Sequence, residues 1–264
     1  LYALGVGLGH DPLDTDALRY VYEPQLQVLP TLAVVLGYPG FWAKDPATGI
    51  DWVKLLHGEQ SLELHAPLPA AGTVVGKSRV TALVDKGAGK GALMYSERDI
   101  VDAASGKLLA VTRSVSFMRG DGGFAATGQP SDAAPPSRAA TPDTAPDFVC
   151  ELKTRPESAL IYRLSGDFNP VHADPVVAKA AGFERPILHG LCSFGVSGHA
   201  LLKTLCSWNP ARLKEIGCRF SSPVYPGETL RVEMWVRGQH VQFRTWGVER
   251  KVVVLSHGSA RISS

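Results

Sequence analysis

Between Gly120 and Pro146 the chain reads GDGGFAATGQPSDAAPPSRAATPDTAP, a run of Gly, Pro, Ala, Ser and Thr with almost no large apolar side chain. Such a stretch cannot build a layer of its own, so it reads as a linker, and any fold must be assembled in two parts around it. The parts are similar in size, and each is predicted to run from helical to strand patterns. They also echo one another. Ala17-Leu-Arg-Tyr20 resembles Ala159-Leu-Ile-Tyr162, and Pro67-Leu-Pro-Ala-Ala-Gly72-Thr-Val resembles Pro223-Val-Tyr-Pro-Gly227-Glu-Thr-Leu. The offset is 142 residues at the tyrosines and 156 at the prolines, so the second copy holds about fourteen extra residues between those points. A duplication follows: repeats at 1–119 and 148–264 joined by a linker at 120–147. Each is expected to be an α+β unit, one long helix wrapped by a curved antiparallel sheet.

Local patterns fill in the second repeat. Thr154-Arg-Pro-Glu157 has the form of a capping box, with Ala159, Leu160 and Leu164 as the apolar face of the helix it starts. Asp174-Pro175 is predicted to cap a short helix that stops at Gly182. Gly190 to Cys206 is long and mostly apolar, as a buried central helix requires. Alternating runs at Leu230 to Val236, Val241 to Trp246 and Val252 to Leu255 predict antiparallel strands with one face on a core.

Composition narrows the partners. The 264 residues are 45% apolar and 20% charged, enough for an ordinary core, and a net charge of +2 with the signs interspersed gives no field that calls for nucleic acid. The four cysteines are widely spaced, which argues against a disulfide framework or a zinc site and for reduced thiols in an intracellular, soluble protein. The apolar run from Leu32 to Leu36 is hemmed by Pro30, Gly37 and Pro39, too short to span a membrane. The opening Leu1-Tyr-Ala-Leu-Gly-Val-Gly lacks both Met and the charged flank of a signal peptide, and is expected to be a trimmed N-terminus. The closing Arg261-Ile-Ser-Ser is not a Ser-Lys-Leu peroxisomal address, though a trimmed tail could have carried one.

One segment carries chemistry. In Tyr162-Arg-Leu-Ser-Gly-Asp-Phe-Asn-Pro-Val-His172, Gly166 and Pro170 break any helix and fold the backbone into a turn that brings Asp167, Asn169 and His172 close. A carboxylate and an imidazole converging on one water can add H and OH across a double bond by general acid/base catalysis. Asn169 could orient the imidazole or a substrate amide. The second piece, Arg185-Pro-Ile-Leu-His-Gly-Leu191, stands where the long helix begins. The free N–H of Gly190 there is suited to hold an oxyanion.

YRLSGDFNPVHADP followed by RPILHGLCSFG closely resembles the hydratase 2 motif of the (R)-specific 2-enoyl-CoA hydratases, in the MaoC-like dehydratase family of hot-dog folds. Leu1-Tyr-Ala-Leu-Gly-Val-Gly, Val21-Tyr-Glu23, His57-Gly-Glu-Gln60 and Val84-Asp-Lys-Gly87 resemble the first repeat of its eukaryotic-type two-repeat members. The resemblance implies a double hot-dog fold and reversible hydration of trans-2-enoyl-CoA to (R)-3-hydroxyacyl-CoA. Asp167 and His172 would be the catalytic pair, Asn169 a supporting hydrogen-bonder and Gly190 the oxyanion donor. His57, Gly58, Lys86 and Phe220 would contact the acyl-CoA, and Glu23 matches a carboxylate implicated in the family. The first repeat lacks a G-D-x-N-P-x-H segment, so it should be silent and give room to the acyl chain. No cofactor beyond the coenzyme A of the substrate and no metal are expected. The setting implied is cytoplasmic in a bacterium and peroxisomal in a eukaryote, and such a chain can mimic a dimer and pair again as a homodimer.

Plainer readings stand beside these. Gly190 could serve helix packing alone, His189 could be a packed residue or a functional one, and His57 could be a structural histidine beside Glu59 or Gln60. Lys86 could be a turn lysine, although a cation there would suit a coenzyme A phosphate. His172 and Asp174 could be metal ligands, but Asp174 before Pro175 is better explained as a helix cap. Cys192 is expected to be buried filler. The rival functions are a dehydratase acting on a carrier-protein thioester and a non-catalytic acyl-thioester-binding hot-dog protein.

Overall fold

The computed structural model describes residues 1–263. The first repeat contains α1 (Tyr2–Gly5), α2 (Thr15–Leu18), a series of short 3-10 turns, and strands β1 (Leu55–Leu64), β2 (Val74–Asp85), β3 (Ala92–Asp102) and β4 (Leu108–Met118). The second opens on a strand, β5 (Phe148–Lys153), ahead of α3 (Ser158–Tyr162), α4 (Pro175–Ala180) and α5 (Gly190–Leu205). Strands β6 (Leu213–Phe220), β7 (Thr229–Arg237), β8 (His240–Gly247) and β9 (Val252–Ile262) complete it.

The nine strands form one antiparallel sheet in the order β2-β3-β4-β1-β6-β9-β8-β7-β5. About the β1–β6 seam the order is mirrored, with β1, β4, β3 and β2 answering β6, β9, β8 and β7, as a duplication requires. Glu59 faces Arg219 across the seam and bonds it at 2.7 Å. Glu63 faces Glu215, a repulsive pair relieved because Glu63 is drawn to Arg113 and Glu215 to Arg261.

The sixteen residues of α5 run about 24 Å, and all from Cys192 to Leu202 are buried. Its small residues decide what can approach. A Cβ on Gly195 would lie 2.6 Å from Val6 and 2.7 Å from the Tyr2 hydroxyl, and one on Gly198 would lie 2.5 Å from Thr31. First-repeat segments therefore press directly on this helix, while Ser197 reaches Thr245 of β8 at 2.8 Å on the other side. One continuous core results, joining Leu29, Val34 and Leu62 to Phe194, Leu202 and Phe243.

Several expectations are corrected. Among the described residues a long central helix exists only in the second repeat; in the first, a 3-10 turn at Pro30–Val34 packs between α5 and strands β1 and β4. Pro30 opens this turn, and Gly37, at φ 58°, and Pro39 end it before a longer helix can form. The capping box is not made. The Thr154 hydroxyl is taken up by the β6–β7 turn, donating to Glu228 O at 2.7 Å and accepting from Gly227 N at 2.9 Å. Helix α3 is consequently a single turn that buries Ser158, Ala159 and Tyr162 and leaves Leu160 and Leu164 in solvent. By contrast Asp174 caps α4 through Val176 N and Val177 N, as predicted. All four cysteines are free.

The 120–147 segment is tied down along its length rather than loose. Asp85 accepts from Gly123 N and Ala125 N, Asp132 exchanges two hydrogen bonds with the backbone of Leu83, and Arg138 reaches Glu59 and Ser259 across the seam. Farther on, Gln242 donates to Ala140 O and Trp235 Nε1 to Thr144 O. Val241, Phe243 and Thr245 of β8 are buried inward, so Gln242 between them points the other way. The segment thus straps the sheet face opposite α5 and covers Trp235, which is 1% exposed. No helix among the described residues is long and apolar enough to cross a membrane.

One close approach fixes the loop after Pro30–Val34. A Cβ on Gly76 of β2 would sit 2.2 Å from Gly37 O, backbone against backbone. Gly76→Ala is expected to lower stability by about 1–3 kcal/mol, as overpacking does, measured as a lower urea midpoint at unchanged slope. An unchanged midpoint would contradict this contact.

Candidate active site

After α3 a 3-10 turn at Arg163–Ser165 ends on Gly166, whose φ of 117° turns the chain outward to Asp167. Asp167 Oδ1 accepts from Asn169 N at 3.1 Å, and Asn169 Oδ1 accepts from Val171 N at 3.2 Å, capping the next turn, Pro170–His172. The side-chain oxygen of Asn169 therefore shapes the loop rather than the imidazole. His172 is 8% exposed. Its Nδ1 donates to Ile187 O at 2.8 Å, which leaves an unprotonated Nε2 as the basic nitrogen. Burial holds its pKa below the ordinary value, against the opposing pull of the Ile187 carbonyl and the Asp167 charge.

Asp167, His172 and His189 each offer a nitrogen or oxygen within 4.8 Å of the others. A water can bridge two such groups with hydrogen bonds of about 2.8 Å each. The same three could be read as metal ligands. One nitrogen of each ring is committed to a carbonyl, and the rings are stacked with centroids 3.7 Å apart. A carboxylate and an imidazole within reach of one water can pass protons to and from it.

Gly190 opens α5, and neither its N–H nor that of Leu191 has an acceptor among the described residues. Gly190 is exposed, and Phe220, at the end of β6, stands 3.2 Å from where its Cβ would be. The Phe220 ring meets that of His57 at 4.8 Å, 61° from parallel. His57 comes from the first repeat. It is turned toward the site by a bulge in β1, where the register with β4 shifts between His57 and Glu59 and leaves Gly58 unpaired. A second-repeat acid/base pair, a helix N-terminus and a first-repeat histidine are thus linked by direct contacts, His172 to His189, Gly190 to Phe220 and Phe220 to His57.

The other sequence candidates fall elsewhere. Lys86 lies in the β2–β3 turn, exposed, at the same end of the sheet as His57 but three strands away, about 14 Å. Glu23 is not brought to the site. It sits on an exposed loop just after Tyr20, whose hydroxyl bonds Trp208 O beyond the far end of α5. Cys192 is fully buried, its thiol donates to Gly5 O, and burial pushes its pKa well up, so it is filler as expected. Sequence reasoning missed Tyr38. Its ring is half exposed beneath the Arg98 guanidinium, and its hydroxyl pKa is raised by burial and next by the Asp167 charge. Nothing in Leu36-Gly-Tyr-Pro-Gly40 signals this beyond a turn. The Ile187 carbonyl was equally invisible.

Residues 1–120 match the MFE-2 hydratase 2 N-terminal domain and residues 137–257 the MaoC like domain. The chain is 42% identical to the peroxisomal enoyl-CoA hydratase 2 of Arabidopsis thaliana over 275 residues, covering 97% of this chain and 86% of that protein. The chain belongs to the MaoC-like dehydratase family. A MaoC-like dehydratase from Phytophthora capsici has a crystal structure that superposes with a TM-score of 0.86 at 38% identity, over all of this chain and 90% of that one. A Mycobacterium tuberculosis protein with a double hotdog fold has a TM-score of 0.56 at 13% identity, over 89% and 82% of the two chains. The latter likeness concerns the fold alone, and this MaoC-like chain has the double hot-dog α+β fold.

Proposed function

We propose that this MaoC-like protein is a hydro-lyase of fatty-acid metabolism that adds water reversibly to trans-2-enoyl-CoA, giving (R)-3-hydroxyacyl-CoA. The observation that carries the reading is the convergence of Asp167 and His172 beside the free N–H of Gly190. In this reading the pair holds one water. Its oxygen attacks C3 as an O–H bond breaks and the proton passes to the pair, electron density moves from the double bond to the thioester oxygen, and Gly190 N–H stabilises that oxyanion. The pair then returns a proton to C2 on the same face and the carbonyl re-forms. Nothing beyond the coenzyme A carried by the substrate is called for. His57, Gly58 and Phe220 line the approach to Gly190, and Lys86 is assigned to the coenzyme A phosphates at the rim. The setting would be peroxisomal in a eukaryote and cytoplasmic in a bacterium. Loss of enoyl-thioester ultraviolet absorbance over a series of chain lengths, with chiral analysis of the product, tests the reading; an unchanged spectrum with every length would refute it.

The pH profile tests the base. A protonated His172 cannot accept the proton of water, and its folded pKa is depressed below 6.5. Activity should therefore be flat through neutral pH and fall only as pH drops below the ordinary histidine range. An acid limb of kcat/KM centred above 6.5 would remove His172 from this role.

A further inference from the structure

His189 is buried within this site yet neither donates to nor accepts from the reacting water in the proposed hydration. It is 1% exposed and forms the N-cap of α5, immediately before Gly190. Its Nε2 lies 3.2 Å from Asp167 O, and a carbonyl can only accept, so Nε2 carries the proton. Its ring lies against that of His172, centroids 3.7 Å apart and 27° from parallel. The other nitrogen, Nδ1, has no hydrogen-bond partner among the described residues. A second proton there would be an unpaired buried charge against the catalytic imidazole. Burial first, then the neighbouring His172, accordingly pull the His189 pKa down to about 4.

We infer that His189 is a positioning residue, a neutral imidazole that holds the backbone of Asp167 and the plane of His172 in register with Gly190. The inference rests on the hydratase reading of the same site. Asp167 stands on an exposed turn whose other hydrogen bond is local, from Asn169 N, so the contact from His189 is what ties its carbonyl to the protein interior. His172 is held at Nδ1 alone, and a ring held by one hydrogen bond can still tilt unless a flat group covers its face. His189 supplies both restraints from the residue that precedes the oxyanion donor. Being covered, it cannot touch substrate, so its removal should alter turnover and not binding.

Two substitutions in the full chain separate these functions. His189→Gln keeps an N–H donor and a planar group, whereas His189→Leu keeps bulk and has neither. His189→Leu should lose about 30-fold or more in kcat, the scale of a small misplacement of reacting groups, with KM for enoyl-CoA within about threefold. His189→Gln should recover most of that loss. Nitrogen-15 NMR of the imidazoles gives a readout independent of turnover: the His172 ring, Nδ1–H through its bond to Ile187 O, should give single sharp resonances in the parent and the Gln variant and broadened or doubled ones in the Leu variant. Parent-like kcat in a folded Leu variant, a rise in KM at constant kcat, equal impairment of both variants, or unaltered His172 resonances in the Leu variant would each overturn the inference. Should the Leu variant fail to fold, His189→Phe keeps the flat ring without the donor; an intermediate loss supports the inference and a parent-like kcat overturns it. If the parent itself hydrated no enoyl-CoA, the hydratase reading would fail, and the NMR comparison would decide the positioning role alone.

Discussion

Asp167→Asn should leave the fold intact and lower kcat for enoyl-CoA hydration by about 10²–10⁴-fold, the usual loss when a general acid/base group is removed. The structure explains why the two effects separate. Asp167 is exposed, and its carboxylate makes one hydrogen bond within the protein, accepted at Oδ1 from Asn169 N. An amide oxygen can accept that bond equally well, so the turn and the melting temperature should persist. What the amide cannot do is take a proton from water or return one to C2. Because His172 shares the same water, adding His172→Gln to Asp167→Asn should cost much less than the product of the single losses. Thermal denaturation and single-substrate kinetics on the purified variants suffice. A folded Asp167→Asn protein that turned over at the parent rate would end the assignment.

Much of this geometry was legible in the sequence because it is enforced locally. Gly166, Pro170 and the Asn169 cap make the Asp167–His172 turn with hydrogen bonds spanning two or three residues, and Asp174 caps α4 in the same way. The mirrored halves were legible too, since Ala17 and Tyr20 are buried as Ala159 and Tyr162 are. Reading failed where a distant partner competes for a local signal. Thr154 and Glu157 have the spacing of a capping box, but the Thr154 hydroxyl finds Gly227 and Glu228 instead. The composition of 120–147 says only that the segment forms no layer; its contacts with Leu83, Glu59, Trp235 and Ser259 depend on the finished sheet.

The same division runs through the site. His172 and Gly190 announce themselves by motif, but the nitrogen that carries the proton on His172 is set by the Ile187 carbonyl, fifteen residues on. His57 enters through a bulge that only the pairing of β1 with β4 reveals. Glu23 shows the converse error. A match of residue type placed it with the site, whereas its loop lies by Trp208, about 24 Å along α5 from Gly190.

Gly190→Pro should reduce kcat by about 10²–10³-fold relative to Gly190→Ala, the loss expected for one oxyanion donor. A backbone N–H can be deleted by proline alone, and few positions accept proline; this one does. Gly190 is the first residue of α5, where proline is favoured because its missing N–H would have no helical partner. His189, at φ −57° and ψ 135°, already has the extended conformation required of a residue before proline. The helix should therefore survive. Both variants introduce a Cβ about where Phe220 lies 3.2 Å away, so both disturb that ring and the His57 beyond it to a similar extent. Their ratio reports the loss of the N–H together with the proline Cδ that takes the place of its hydrogen. Loss of the N–H should appear in kcat, because the charge on the thioester oxygen develops as water attacks, while any further rise in KM of the Pro variant over the Ala variant reports the bulk of its ring. Equal kcat in the Ala and Pro proteins would mean that the oxyanion is held elsewhere.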